Sequence, residues 1–275
     1  MKKYAYYHAY LTDETGSWYQ LCLDQIFTIF NSGLYNELEK IYITCVGKKE
    51  QISLFVGICF LFDKFEIINE YPTDEGEENL SLKYTSSIDY TSKENKVYDE
   101  TFTMCHIWDH ANREDAYFLY FHTKGITAPW RMREEKDTTP AFPFVNYYLW
   151  RKFLDWGCIE NWRMCVDALD NGHTSAGVNY TDEPLPHYSG TYWWSKSSYI
   201  KTLPDIREDD WWQDLRQATT LKNWDSNRNK PEMWIGVSES RNFYSIVNHQ
   251  DVEPVTGPNL VWRFFPRPAY EHYAK

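Results

Sequence analysis

Within the first 125 residues, short runs rich in aromatic and β-branched residues alternate with stretches of helical period, and this alternation leaves the chain few folds to choose from. Lys3–Leu11 (KYAYYHAYL), Lys40–Val46 (KIYITCV), Phe65–Tyr71 (FEIINEY) and Ala116–His122 (AYFLYFH) read as strands, the last being the clearest. Trp18–Asn31 carries apolar residues at Leu21, Ile26, Ile29 and Phe30 and meets a stop at Ser32-Gly33, so it reads as a helix. Ile52–Phe62 and Tyr98–Ala111 read as two more. Strands separated by helices pair in parallel through right-handed crossovers, and such a sheet binds its ligand beyond the carboxyl ends of its strands. The pattern therefore predicts one crevice bounded by His8–Leu11, Cys45–Gly47, Glu70–Tyr71 and His122–Gly125. The polar, Pro- and Gly-broken stretch 72–95 is expected to be a loop over that opening.

After Gly125 the pattern becomes irregular. Trp130–Asn171 is expected to be helical, followed by a short strand at Gly177–Tyr180 and a Trp-rich stretch. With no internal repeat and no linker, the chain is expected to form one α/β domain over residues 1–275. It would have a nucleotide-binding half at 1–128 and an aromatic-rich acceptor half at 129–275.

The net charge of −12 opposes a general role on nucleic acid or an anionic membrane, although it leaves room for a local basic pocket. The longest mostly apolar run, Ile52–Phe62, is too short to cross a bilayer. The opening MKKYAYYHAYLTDE lacks the apolar stretch of a secretory leader, so a cytoplasmic protein is expected. The cysteines (Cys22, Cys45, Cys59, Cys105, Cys158 and Cys165) form no CxxC pair and are expected to be reduced core residues. The sequons at Asn79 and Asn179 are accordingly expected to go unused.

Three constellations carry chemistry. His122-Thr123-Lys124-Gly125 ends the clearest strand and groups an imidazole, a hydroxyl and an ammonium where the sheet opens, which suits a phosphate or diphosphate. The plainer reading is a strand-to-loop turn with a solvated lysine. His187-Tyr188-Ser189-Gly190-Thr191-Tyr192-Trp193-Trp194 sets aromatic platforms beside hydroxyl and imidazole groups, a combination that fits sugars. Adjacent residues on a strand face opposite ways, so one of the two tryptophans is expected in the core. Glu232, just after Lys230-Pro231, opens the apolar segment Glu232–Gly236 and reads as a first-turn carboxylate of a helix.

In that order, HTKG, Trp130-Arg131 with a helical insert, HYSGTYWWSKSSYIKTLP and PEMWIG resemble a group of glycosyltransferases and glycosyltransferase-like proteins whose nucleotide-binding half is of the GT-A type. The opening, notably the NSGLY turn, resembles the start of the same group. The resemblance runs over residues 4–236. Xylosyltransferases of chloroviruses are similar in size and style.

The resemblance implies a GT-A-like, mixed but mainly parallel sheet flanked by helices. It also implies a sugar, xylose among the candidates, moved from a nucleotide-linked donor, UDP foremost, to a glycan hydroxyl. His8, Ala9, Tyr10, Leu11, His122, Thr123, Lys124 and Arg131 would hold the donor. His187, Ser189, Trp193 and Trp194 would hold the acceptor, and Glu232 would be the base of an inverting transfer. Such enzymes commonly hold a divalent metal with Asp-x-Asp after the fourth strand. This chain has no Asp-x-Asp. Glu135-Lys136-Asp137 and Glu208-Asp209-Asp210 match it only loosely, so Lys124, with Arg131, would take the metal's role and no cofactor is expected. Asp209 and Asp210 are the reserve candidates for the base.

Two other readings compete. His106, Asp109 and His110 fall at i, i+3 and i+4 of an expected helix and could form the metal site of a hydrolase. The aromatic content also allows a non-catalytic carbohydrate-binding protein, but such a protein has no need of a diphosphate pocket.

Overall fold

In the computed structural model of the chain, residues 1–11, 18–72, 100–123, 142–219 and 229–247 are described. The first half follows the expected alternation: β1 (Lys2–Leu11), α1 (Trp18–Asn31), α2 (Leu34–Glu37), β2 (Lys40–Gly47), α3 (Lys49–Cys59), β3 (Phe65–Pro72), α4 (Thr101–Ala111) and β4 (Ala116–His122). The stop after α1 forms as the sequence requires, with Gly33 at φ 76° in the left-handed region that a residue without Cβ enters freely. Most of the expected 72–95 loop lies outside the described residues.

The second half departs further from its expectation. The helical stretch divides into α5 (Phe142–Asp155), a π-turn (Trp156–Glu160) and α6 (Trp162–Asp170). Gly157 explains the π-turn's close packing, because a Cβ there would sit 2.2 Å from Val178 Cγ1. The expected Gly177–Tyr180 strand is split by Asn179 at φ 61° into β5 (Ser175–Gly177) and β6 (Tyr180–Thr181). Then come β7 (His187–Tyr188), β8 (Trp193–Lys196), α7 (Ser197–Ile200), α8 (Asp210–Ala218), α9 (Lys230–Trp234) and β9 (Phe243–Ser245).

Seven strands form one sheet in the order β3-β2-β1-β4-β8-β5-β9, and β6 pairs with β7 in a small second sheet. Strands β1 to β4 are mutually parallel, while β8 runs antiparallel to both β4 and β5. The architecture is thus the expected α/β one: a mixed, mainly parallel sheet flanked by helices. Both faces are covered, so side chains alternating along a strand enter two different cores. Ala5, Tyr7, Ala9 and Leu11 of β1 pack with α1, α3, α5 and α6, whereas Tyr4 and Tyr6 pack with α4 and α7. Many of the chain's aromatic residues are spent here, as in the stack of Tyr7 on Phe121 at 4.4 Å. All six cysteines are buried and free. Among the described residues no helix is long and apolar enough to cross a membrane.

Gln25 is a polar residue within the larger core. Fully buried on α1, it accepts from Tyr7 Oη at 2.8 Å, and its two Nε2 N–H groups are shared among the His122 carbonyl at 3.2 Å, Asp155 Oδ1 at 3.1 Å and Tyr192 Oη at 2.8 Å. Replacing it leaves several buried polar atoms without partners, each a penalty of roughly 1–3 kcal/mol. Gln25→Leu is therefore expected to lower unfolding free energy by about 2–4 kcal/mol in urea titrations. A loss below about 1 kcal/mol would show that the network is dispensable.

Candidate functional site

The strand order locates a crevice before any side chain is considered. From β1 the chain steps outward to β2 and β3, then returns to the other side of β1 to make β4. The carboxyl ends of β1 and β4 thus diverge into oppositely directed connections, and ligands of open α/β sheets sit at such a switch point. In register, His8 lies opposite His122 across these two strands. His8–Leu11 and His122-Thr123 are therefore brought together, as the sequence predicts. Lys124 and Arg131, the expected cations, lie outside the described residues.

Most of the expected donor residues serve the strand ends themselves. His8 is buried with Nδ1 2.9 Å from Thr103 Oγ1. Ala9 and Leu11 are buried in the core beneath α1 and α3. Tyr10 packs on a small cluster of Val46, Tyr71 and Phe102, the last two stacked at 4.4 Å. Thr123 Oγ1 accepts from the Tyr10 N–H at 2.9 Å and donates to the Tyr10 carbonyl at 3.2 Å. Its hydroxyl so extends the β1–β4 ladder by one more rung after β4 has ended.

His122 turns the other way. Its Nε2 donates to the Gly190 carbonyl at 3.0 Å, and its Nδ1 lies 3.5 Å from Glu100 Oε1. Glu100 also accepts from Tyr120 Oη at 3.1 Å. The Gly190 N–H in turn donates to Glu232 Oε1 at 2.9 Å. Glu232 is half-buried in the first turn of α9, as the sequence predicts. Two distant motifs, HYSG and PEMW, are thus joined to the end of β4 through one residue.

The acceptor candidates need correction. Trp193 and Trp194 do point to opposite faces, but both faces are covered, and both rings are fully buried. Trp194 donates from Nε1 to the Cys158 carbonyl at 2.8 Å, and Trp193 packs against Tyr120 and Trp234. Neither can offer a sugar its face. His187 is buried with Nδ1 donating to the Leu185 carbonyl at 2.6 Å, the satisfied-histidine reading. Ser189 is half-buried, with its backbone exchanging bonds with Asn179.

The hydrolase reading fails on geometry. His106 faces Asn69, Asp109 is held bidentately by Arg207 at 2.8 and 3.1 Å, and His110 lies between Tyr6 and Glu114. The three side chains bind separate partners because α4 lies flat on the sheet and each turn meets a different strand or loop. At the end of β4 itself, His122 Nε2 and the Thr123 hydroxyl are committed to Gly190 and Tyr10. Among the described residues no three His, Cys, Asp or Glu side chains gather. Of the loose Asp-x-Asp matches, Glu135–Asp137 lies outside the described residues. Asp209 is paired with buried Lys230 at 2.7 Å, which commits one reserve base, and Asp210 is exposed.

What sequence reading missed is the ionisable group behind the crevice. Asp155, wholly buried at the end of α5, is held by Gln25 and lies 3.9 Å from Arg151 Nε. Burial pushes its carboxyl up to about 6, against the partial opposition of Arg151. Its signal in the sequence was faint: an aspartate four residues after Arg151, next to the apolar pair Phe153-Leu154.

No family model matches the chain, and no curated protein matches it. Among solved structures it is similar to 4-diphosphocytidyl-2C-methyl-D-erythritol synthase from Anaerococcus prevotii, at 7% identity over 99% of this chain and 96% of that one, with a TM-score of 0.41.

Asp155 gives stability a pH dependence whose sign can be worked out. Its carboxyl holds a proton in the folded protein up to about pH 6, whereas the unfolded chain releases it near the ordinary value of 3.8. The folded state therefore gains from the neutral form below about pH 4, and that gain fades as pH rises through about 6. Its size is on the order of 3 kcal/mol. Urea midpoints at pH 4.5 and 7.5 should show Asp155→Asn gaining on the wild type at the higher pH. Parallel pH profiles for the two proteins would rule this out.

Proposed function

We propose that this chain is a glycosyltransferase that moves a sugar from a nucleotide-linked donor, UDP-linked foremost, to a hydroxyl of a glycan acceptor, with inversion and with fixed cations in place of a divalent metal. The observation that carries the reading is the link from His122, at the end of β4, through Gly190 to the half-buried carboxylate of Glu232. A general base has to stand one sugar ring away from the leaving diphosphate, on the opposite side of the anomeric carbon. A carboxylate tied to the switch-point end of the sheet has a suitable position for that task.

In the proposed step the acceptor oxygen attacks the anomeric carbon while the bond from that carbon to the diphosphate oxygen breaks. Glu232 takes the acceptor proton, and the departing diphosphate carries the developing negative charge. Lys124 and Arg131 would balance that charge, since the sequence offers no Asp-x-Asp to place a metal there. The likeness to chloroviral xylosyltransferases makes UDP-xylose the first donor to test.

Two measurements test the reading. Calorimetry should detect UDP, and Lys124→Ala should cut turnover by roughly 10²–10³ while chelator leaves the wild type unchanged. Chelator abolishing activity, with Lys124→Ala near normal, would reverse the assignment. On the acceptor side, Glu232→Gln keeps the Gly190 hydrogen bond while removing the basic form. It should spare donor binding and depress turnover roughly 10²-fold or more. Asp209→Asn and Asp210→Asn are expected to be milder. Near-normal transfer by Glu232→Gln would make that residue structural.

A further inference from the structure

The turn that carries Gly190 is strained and fixed on all sides. Gly190 sits at φ 100° and Thr191, a β-branched residue, at φ 62°, a region it enters only when the surroundings compel it. The compulsion comes from backbone hydrogen bonds. Ser189 N–H donates to the Asn179 carbonyl at 3.0 Å and Asn179 Nδ2 to the Ser189 carbonyl at 3.1 Å, while Thr191 N–H closes on Tyr188 at 2.9 Å. The remaining two groups are those of Gly190, whose N–H is taken by Glu232 and whose carbonyl is taken by His122. A Cβ on Gly190 would meet Leu154 Cδ1 at 2.7 Å and would have to adopt φ 100°, so the position favours glycine. The two peptide planes that meet at Gly190 are thus each held twice: one by Asn179 and Glu232, the other by Tyr188 and His122.

We propose that His122 is a positioning residue for Glu232: by holding the Gly190 carbonyl, it aims the Gly190 N–H at Oε1 and so fixes the rotation of the carboxylate. The inference rests on the reading of Glu232 as the base. Its physical content is that the turn keeps its geometry, with Thr191 strained, only while both ends of Gly190 are held. Losing the imidazole donor lets the turn relax and swings the N–H away from Glu232. Glu100, 3.5 Å from the other ring nitrogen, keeps the imidazole in the plane this requires. The charged neighbours on α9 are otherwise committed, Lys230 being paired with Asp209.

The test reads Glu232 itself as well as turnover. In protein carrying ¹³C-carboxyl glutamate, the signal missing from Glu232→Gln identifies the residue, and its titration is followed in folded variants. A carboxylate that loses an N–H donor to its charged form titrates higher. His122→Leu is therefore expected to raise the Glu232 midpoint by about one pH unit. It should also lower kcat about ten- to a hundredfold. His122→Gln, whose amide can still donate to the Gly190 carbonyl, should restore both. Should His122→Leu fail to fold, His122→Asn, too short to reach Gly190, takes its place with the same expectation. A midpoint that stays put, or that moves equally in His122→Gln, overturns the inference. A shift that His122→Gln reverses, found together with normal transfer by Glu232→Gln, leaves the positioning of Glu232 standing and removes the base reading alone.

Discussion

A single buried amide decides how the two halves of this molecule meet. From α1, Gln25 reaches β1, the end of β4, α5 and the segment leading into β8 at once. An amide can do this because it donates and accepts from one rigid group, so it can accept from the Tyr7 hydroxyl while its two N–H groups are shared among three oxygens. Tyr192 closes the circuit by donating to the same His122 carbonyl. In a dry interior each of these bonds is strong and each missing one is expensive, so the network admits one arrangement of its members. The end of β4 is held from behind by this network, and that fixes where His122 can point.

In front of the sheet the same residue faces a second constraint. His122 presents its backbone to Gln25 and Tyr192 and its side chain to Gly190. The turn at Gly190 and Thr191 stores on the order of 1–3 kcal/mol at the left-handed Thr191. Its own hydrogen bonds, together with those to His122 and Glu232, offset that strain. A carboxylate and an imidazole far apart in sequence are thereby held in fixed relation at the switch point of the sheet. Asp155 adds a different tension: a carboxyl kept in the core against its preference for water, opposed only at a distance by Arg151.

Much of the fold was legible along the chain. The strand runs around Tyr7, Ile43 and Phe118 are apolar on both sides because helices cover both faces of a parallel sheet, and a buried strand announces itself that way. The stop at Ser32-Gly33, the crevice at His8–Leu11 and His122-Thr123, and Glu232 in the first turn of α9 were each legible from local pattern. The roles of Trp193 and Trp194 were not. That neighbours on a strand diverge is a local fact, whereas the presence of a helix on each side to bury both is a global one. The His106-Asp109-His110 spacing failed similarly, since helical periodicity puts side chains on one face but cannot say which separate partners that face will meet.

By itself, then, the sequence determined the strands and helices of the first half and their parallel pairing, because each follows from residue periodicity over a few turns. Only the tertiary structure decided that Gln25 bridges the two halves, that Asp155 is buried, and that His122, Gly190 and Glu232 form one connected unit. Those contacts join residues from about 40 to 130 positions apart. No local pattern encodes them, since each exists only once both partners have been carried to the same end of the sheet and shut away from water.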